Sequence, residues 1–231
     1  MQEKRADGEM TGDGPLIGEA LPLDLVNTRP AGRTGRTDLI GTAAQLTAWL
    51  AAQAERLPAE VRGLAPGPAD LAAVHAVRAD TEAVAQALLA GRRPPRSALQ
   101  GLTAAQGGAP AIRELDWEDG ELTVTPRRSG TPGAVLAAVF AEAAVALLSG
   151  PDVRKVKECE AEDCVMLFLP AHPRRRWCSP ARCGNRARVA RYYQRHKSAH
   201  RTPDGPGHAD GPDRADGQDR THGPGHGELP D

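Results

Sequence analysis

Aromatic side chains are scarce in this chain: three Trp, two Tyr and two Phe, 3% of 231 residues. A core built with so few must rest on Ala, Leu and Val, and abundant Ala and Arg favour helix. No run of about 18 apolar residues occurs, which argues against a transmembrane helix. The sequence opens on polar M-Q-E-K-R-A-D-G-E-M-T-G-D-G-P with no apolar signal-peptide core behind it. The expectation is a cytoplasmic protein with no membrane partner. A nucleophile motif, a glycine-rich phosphate loop and paired carboxylates at useful spacing are also missing, so no enzyme activity is expected. The formal net charge of -1 excludes little, because it averages a basic region against acidic ones.

Cysteine is equally sparse, and entirely local. All four fall between 159 and 183, as C-E-A-E-D-C, thirteen residues, then C-S-P-A-R-C. In a reducing cytosol such a cluster reads as metal ligands before disulfides. Four thiolates suit tetrahedral zinc and leave no position for water, so Cys159, Cys164, Cys178 and Cys183 predict one structural Zn2+. Iron–sulfur ligation stays open, although these spacings match none of the usual cluster patterns. The spacer is expected to form a small hairpin, with 165–170 on one side and 174–178 on the other. Ser179-Pro180 reads as a helix start. Two ligands on a knuckle and two at the start of a helix predict a treble-clef-like zinc finger.

Acid is absent where base is densest. Residues 172–201 hold ten Arg and Lys and no Asp or Glu. Zinc with four thiolates carries a formal -2, which accounts for two of the cations. The remaining excess predicts a polyanion partner, nucleic acid first, with DNA ahead of RNA. The candidate contacts are Arg174, Arg175, Arg176, Arg186, Arg188, Arg191, Arg195 and Lys197. Arg188, Arg191 and Arg195 share one face of a helix predicted over 185–197. Val189 and Tyr193, on another face, are expected to pack on the zinc hairpin. Phe168, Trp177, Tyr192 and Tyr193 are read as the small core of the module, ahead of a base-stacking platform.

Upstream, residues 1–15 read as a disordered leader and 16–150 as an α+β domain, mainly helical with a small β-hairpin. Leu21, Leu23 and Leu25 alternate as in a short strand, and a helical turn fits nearly as well. Thr42 with Gln45 makes a capping box. Pro68 and Asp70 start a helix to about Ala90, stopped by Gly91. Ser97 and Gln100 repeat the capping pattern for a short helix. Asp119-Gly120 predicts the turn of a hairpin over 111–125. Thr131-Pro132 starts the most apolar helix, to Ser149, judged too short to span a membrane and read as the central core helix. Asn27, Arg29 and Arg36, with Arg33 and Asp38, are candidates for a pocket that takes a small-molecule effector; loop hydrogen bonding is the competing reading. The segment after the cysteine module, 202–231, has seven acidic residues against two Arg and almost nothing apolar, so it reads as a disordered tail that could compete with nucleic acid for the basic helix. A homodimer is left open.

Together, C-x4-C-x2-L-F, then R-R-W-C-S, then C-G-N-R-x-R with Y-Y-x-R, resemble the CGNR zinc finger, carried on Cys183-Gly184-Asn185-Arg186 and Arg175-Arg176-Trp177-Cys178. L-D-L-V-N-T-R at 23–29, Asp38-Leu39 and Trp49-Leu50 are similar to the partner domain of that family, called ABATE. The two matches cover roughly residues 20–200. One departure is Pro170-Ala171-His172-Pro173, where the family carries an acidic residue and a serine. The resemblance implies a stress-induced transcription regulator: a zinc module, residues 151–201, that binds DNA, beside a sensing or dimerising domain. The alternatives are an RNA-binding protein, or a small-molecule-binding domain with a purely structural zinc module.

Overall fold

The computed structural model describes residues 18–32 and 35–199. The expected leader, Arg33 and the tail over 202–231 lie outside them. Contacts divide the chain into one unit through Tyr192 and a second from Tyr193. The described part of the second unit is the last portion of the final helix.

Five helices precede the cysteine module: α1 (Leu21–Val26), α2 (Ala43–Ala52), α3 (Leu71–Leu89), α4 (Arg96–Gly108) and α5 (Pro132–Ser149). A sixth, α6 (Asn185–Ala199), follows it. Three two-stranded antiparallel ribbons complete an α+β architecture: β1 (Ala31–Gly32) with β2 (Gly35–Arg36), β3 (Ile112–Glu118) with β4 (Glu121–Arg127), and β5 (Lys157–Glu158) with β6 (Leu167–Phe168).

The local signals act where the spacing predicts. Gln45 N–H donates to Thr42 Oγ1 at 3.2 Å and Thr42 N–H to Gln45 Oε1 at 3.0 Å, closing the capping box of α2. Ala134 N–H donates to Thr131 Oγ1 at 3.2 Å at the start of α5. Asp119 and Gly120 have φ of 50° and 85°, the two positive values that a type I′ hairpin turn requires. Helix α4 differs from expectation. It starts at Arg96, with Pro95 as a cap residue that makes no side-chain bond, and runs 13 residues. Ser97 lies inside the helix, because the Pro95 carbonyl already accepts from Leu99 N–H at 3.2 Å.

Helix α5 is the centre of the core and packs on α1, α3 and α4. Its Phe140 is fully buried and meets Trp49 of α2 with ring centroids 5.6 Å apart. The expectation that α5 is too short for a membrane does not hold. Among the described residues it is the one helix long and apolar enough by length and composition. Nine of its residues, Val135 to Ala141 among them, are nonetheless buried inside this core, which accounts for its hydrophobicity.

Helix α1 faces two ways. Leu21 and Leu25 belong to the helical core, whereas Leu23 and Val26 join a second cluster with Ala85, Val156 and Leu167. Val156 and Leu167 come from the cysteine module, so α1 is the layer between module and helices. A segment buried all round shows no clear periodicity, which is why helix and strand fit its sequence about equally. Its Asp24 is fully buried and accepts from Gly18 N–H (2.9 Å), Glu19 N–H (3.0 Å) and Gln53 Nε2 (3.1 Å), with Arg56 as its ion pair.

Asp70 joins two helix starts. It accepts from Gly67 N–H and Gly133 N–H, both at 2.8 Å, and a Cβ on Gly133 would lie 2.7 Å from the Asp70 Cα. These two backbone bonds hold the Asp70 carboxyl below its ordinary 3.8. Asp38 is also lowered: burial pushes it up, but the hydrogen bonds and charge of Arg78 and the Ile40 N–H outweigh that. In the acid range the unfolded chain therefore binds more protons at these sites than the folded one. Their contribution is complete above 3.8 and is lost as pH falls through the folded values. The melting temperature should drop on acidification below pH ~4, and less steeply in Asp70→Asn. Equal acid slopes in the two proteins would refute the role given to Asp70.

Candidate metal centre

The first ligand pair sits on a knuckle. β5 pairs with β6, Lys157 opposite Phe168 and Glu158 opposite Leu167, and Cys159 N–H donates to Met166 carbonyl at 2.9 Å. Between them the chain turns back through Asp163 at φ 59°, a left-handed position that Asp tolerates. Cys164 N–H donates to the Ala161 carbonyl at 3.1 Å. The observed hairpin thus encloses the first cysteine pair. It does not join 165–170 to 174–178, as the spacer suggested, because the first strand comes from upstream of Cys159.

The second pair opens a helix. Ser179 Oγ accepts from Arg182 N–H at 3.3 Å, Pro180 occupies the first turn, and a π-type turn over Pro180–Gly184 carries Cys183 into α6. Gly184 lies against Trp177: a Cβ there would meet the indole Cδ1 at 3.2 Å.

The four thiols converge. All Sγ atoms lie within 4.8 Å of one another. Three of the separations are 3.5 Å (Cys178 to Cys183), 3.7 Å (Cys183 to Cys164) and 3.9 Å (Cys164 to Cys178). A tetrahedron with metal–sulfur bonds of ~2.3 Å has edges of about 3.8 Å, close to these three separations, so the donor set fits zinc. Titration of the thiols agrees. Cys164 is lowered to about 5, first by the S–H of Cys178 and then, against burial, by the Met166 N–H. Cys178 is driven up by donating to Cys164, by burial and by the neighbouring thiolate charge; burial first, then that charge, pushes Cys183 up to about 11. Four thiolates this close together need a dication to offset their charge. Cys159, Cys178 and Cys183 are buried and Cys164 is half-buried. The site fits one structural zinc.

The neighbouring arginines divide by what they touch. Arg175 donates to the Trp177 carbonyl (3.0 Å), the Cys178 carbonyl (2.6 Å) and Glu19 Oε1 (2.5 Å), and stacks 4.5 Å above the Phe168 ring. Arg186 donates to the Glu162 carbonyl at 2.9 Å and reaches Cys183 Sγ at 3.7 Å, tying α6 to the knuckle. Arg176 is exposed, pairs with Glu160 and lies over Trp177. Arg174, Arg188, Arg191 and Arg195 are exposed; Arg188 donates to Asn185 Oδ1 and Arg191 to the Ala187 carbonyl, both within α6. Lys197 falls in the last turn of α6, beyond the described side chains. Val189, Tyr192 and Tyr193 are 53%, 54% and 67% exposed, so neither Val189 nor Tyr193 is buried as expected. Of the four aromatics read as core, Phe168 and Trp177 fill that role.

Several of the residues considered for an effector pocket already have partners in the fold. Asn27 is buried, with both ends of its amide on Leu167: Nδ2 donates to the carbonyl at 2.7 Å and Oδ1 accepts from the N–H at 2.9 Å. Asp38 takes a two-pronged bond from Arg78, at 2.6 and 2.7 Å, and Arg78 also reaches Thr28 Oγ1. Arg29 is half-buried. Arg36 pairs with Glu82 and lines, with Arg186, Ala31 and Asp163, an open cleft of about 610 Å³. Sequence reasoning missed Glu19, which accepts from Leu169 N–H at 2.9 Å and from Arg175. No signal in the sequence points to it, since its partners lie 150 and 156 residues on.

Two family models match the chain. Residues 155–196 match the CGNR zinc finger, and residues 19–151 match ABATE, described as "Putative stress-induced transcription regulator". No curated protein matches it. The ABATE match spans more than half of the sequence, and with the zinc geometry in place behind it, the chain belongs to the ABATE family and carries a CGNR zinc finger.

Proposed function

We propose that the protein is a cytoplasmic, zinc-dependent DNA-binding transcriptional regulator. Residues 151–201 form the nucleic-acid module, and residues 16–150 the sensing or dimerising part. One observation carries this reading: an acid-free basic stretch whose Arg186, Arg188, Arg191 and Arg195 stay exposed on a helix rooted in a metal site. Half-buried Arg175 braces the module, and exposed Arg186 ties α6 to the knuckle. Arg174, Arg176, Arg188, Arg191, Arg195 and Lys197 supply charge to phosphates, with Arg188, Arg191 and Arg195 at helical spacing along α6. Such contacts give affinity that falls with salt and no sequence preference of their own. Base readout, if it exists, belongs to other side chains near the start of α6.

A salt series of duplex binding tests this. Each phosphate contact contributes a slope of about 0.9 in log–log form, so Arg188→Ala with Arg191→Ala should flatten the slope by roughly two and weaken binding at least tenfold at low salt. An unchanged slope would remove the helix from the interface. The exposed Tyr192 and Tyr193 favour a second reading, single-stranded RNA, because unstacked bases pile on aromatic faces. Competition between duplex DNA and single-stranded RNA separates the two. For an effector, the cleft shared by Arg36 and Arg186 suits a small anion, and a thermal-shift screen of anionic metabolites is the direct assay.

A further inference from the structure

The hairpin β3–β4 is built unlike the rest of the fold. Every residue of its two strands is exposed except half-buried Thr123. Its root is held firmly. Arg128, just past β4, donates to the Ala109 carbonyl at 2.7 Å and to Glu142 Oε1 at 2.9 Å, and pairs with Glu60. The hairpin is therefore an anchored arm with both faces in solvent.

Those faces have opposite character. Opposed residues share a face, so Leu115–Val124, Trp117–Leu122 and Arg113–Pro126 form one side. Ile112–Arg127, Glu114–Thr125, Asp116–Thr123 and Glu118–Glu121 lie on the other, which is acidic from Glu114 to the tip. Leu115, Trp117 and Leu122 are 69%, 66% and 67% exposed. With Val124 they present roughly 400 Å² of contiguous apolar surface, as large as the biggest patch on a typical monomer, and such patches are commonly interaction sites. A two-stranded ribbon alone in water is also marginal and gains from having a face covered.

We infer that this face pairs with the same face of a second copy of the chain, the two hairpins packed about a two-fold axis with the tip of each over the root of the other. The charges select this occupant. On this face the root carries Arg113 and the turn at the tip carries Asp119, whereas Arg127, Glu118 and Glu121 lie on the other face, where Arg127 pairs with Glu114 at 3.2 Å. A two-fold axis at the level of Asp116 lays the Leu115–Val124 layer on the partner's Trp117–Leu122 layer and brings Arg113 over the partner's Asp119. Parallel stacking would set Arg113 on Arg113 and Asp119 on Asp119. The acidic back of each hairpin then faces water and repels nucleic acid. Two such faces bury about 800 Å² from four side chains each, the size of a weak, concentration-dependent interface. The inference deepens the dimerising role proposed for the ABATE part and does not depend on the nucleic-acid reading.

Sedimentation of the full, zinc-loaded chain without DNA tests it. Wild type should move from 24.4 kDa toward twice that mass with rising concentration. Leu115→Glu with Trp117→Glu should stay monomeric, with unchanged zinc content and far-UV spectrum, because both side chains are already exposed. Arg113→Glu and Asp119→Arg should each weaken pairing at least tenfold, and mixing the two variants should restore it. A wild type that stays monomeric to about 200 µM, or a dimer that ignores the Leu115–Trp117 change, overturns the inference. DNA binding by the monomeric variant is measured in parallel, so failure of one reading is visible apart from the other.

Discussion

Stripping the metal should unfold the cysteine module and leave the helices standing. The core of the module is Cys159, Ala161, Met166, Phe168, Cys178 and Cys183, with Cys164 and Trp177 packed against it. Half of that list is thiol, and its only strands are two residues long. A segment of this size cannot bury enough apolar surface to offset its chain entropy unaided. Structural zinc contributes about 10–16 kcal/mol to such modules at neutral pH, which is the whole of their stability. Cys164→Ser and Cys183→Ser should therefore lose stoichiometric zinc, expose Trp177 with a red-shifted emission and, on the proposed DNA-binding reading, lose DNA affinity because Cys183 no longer fixes the start of α6. The helical circular dichroism of α2 to α5 should persist, since their core has its own residues. A stripped protein with unchanged Trp177 emission and protease resistance across 157–184 would overturn the structural role of the metal.

Asn27→Ala should be the most costly substitution outside the cysteines. The Asn27 amide pairs with both the N–H and the carbonyl of Leu167, 140 residues away, in a buried setting. Truncation leaves two backbone groups without partners in a place water does not reach, at about 2–5 kcal/mol. Asn27→Asp should not rescue it, because a carboxylate offers the Leu167 carbonyl a second acceptor in place of a donor. Urea denaturation reads the loss, and zinc content should remain near one per chain. A change below about 1 kcal/mol would return Asn27 to the set of ligand-binding candidates, where truncation costs binding and spares stability. The same substitution probes how the two family regions communicate. Asn27, the Leu23–Val26–Leu167 cluster and the Glu19–Arg175 pair are the links between them, and all three come from α1 or the residues flanking it.

Much of the fold was legible because some signals are local. A Thr with Gln three residues on closes a capping box, and Asp-Gly takes two positive φ values, wherever the chain later packs. Four cysteines in two equal pairs converge because thiolate, zinc and a tight knuckle leave few other arrangements. The cation excess over 172–201 is likewise a property of composition alone. These elements depend on a handful of neighbouring residues, so the sequence by itself determined them: the helical α+β class, the zinc ligand set and the basic helix behind it.

What the tertiary structure decided concerns partners far apart in the chain. Arg175 and Arg176 are the same residue type side by side, yet one is locked between Glu19, Phe168 and two carbonyls while the other stays exposed. Residue type cannot separate them; the fold does, by bringing position 19 to position 175. Asn27 reads as a loop residue until Leu167 arrives beside it. Helix α1 looks half like a strand because two cores bury it from opposite sides. Val189 and Tyr193 share a helical face, yet each stays more than half exposed, so a pattern that predicts burial does not end in it. Burial is a relation between distant segments, and local chemistry does not contain it.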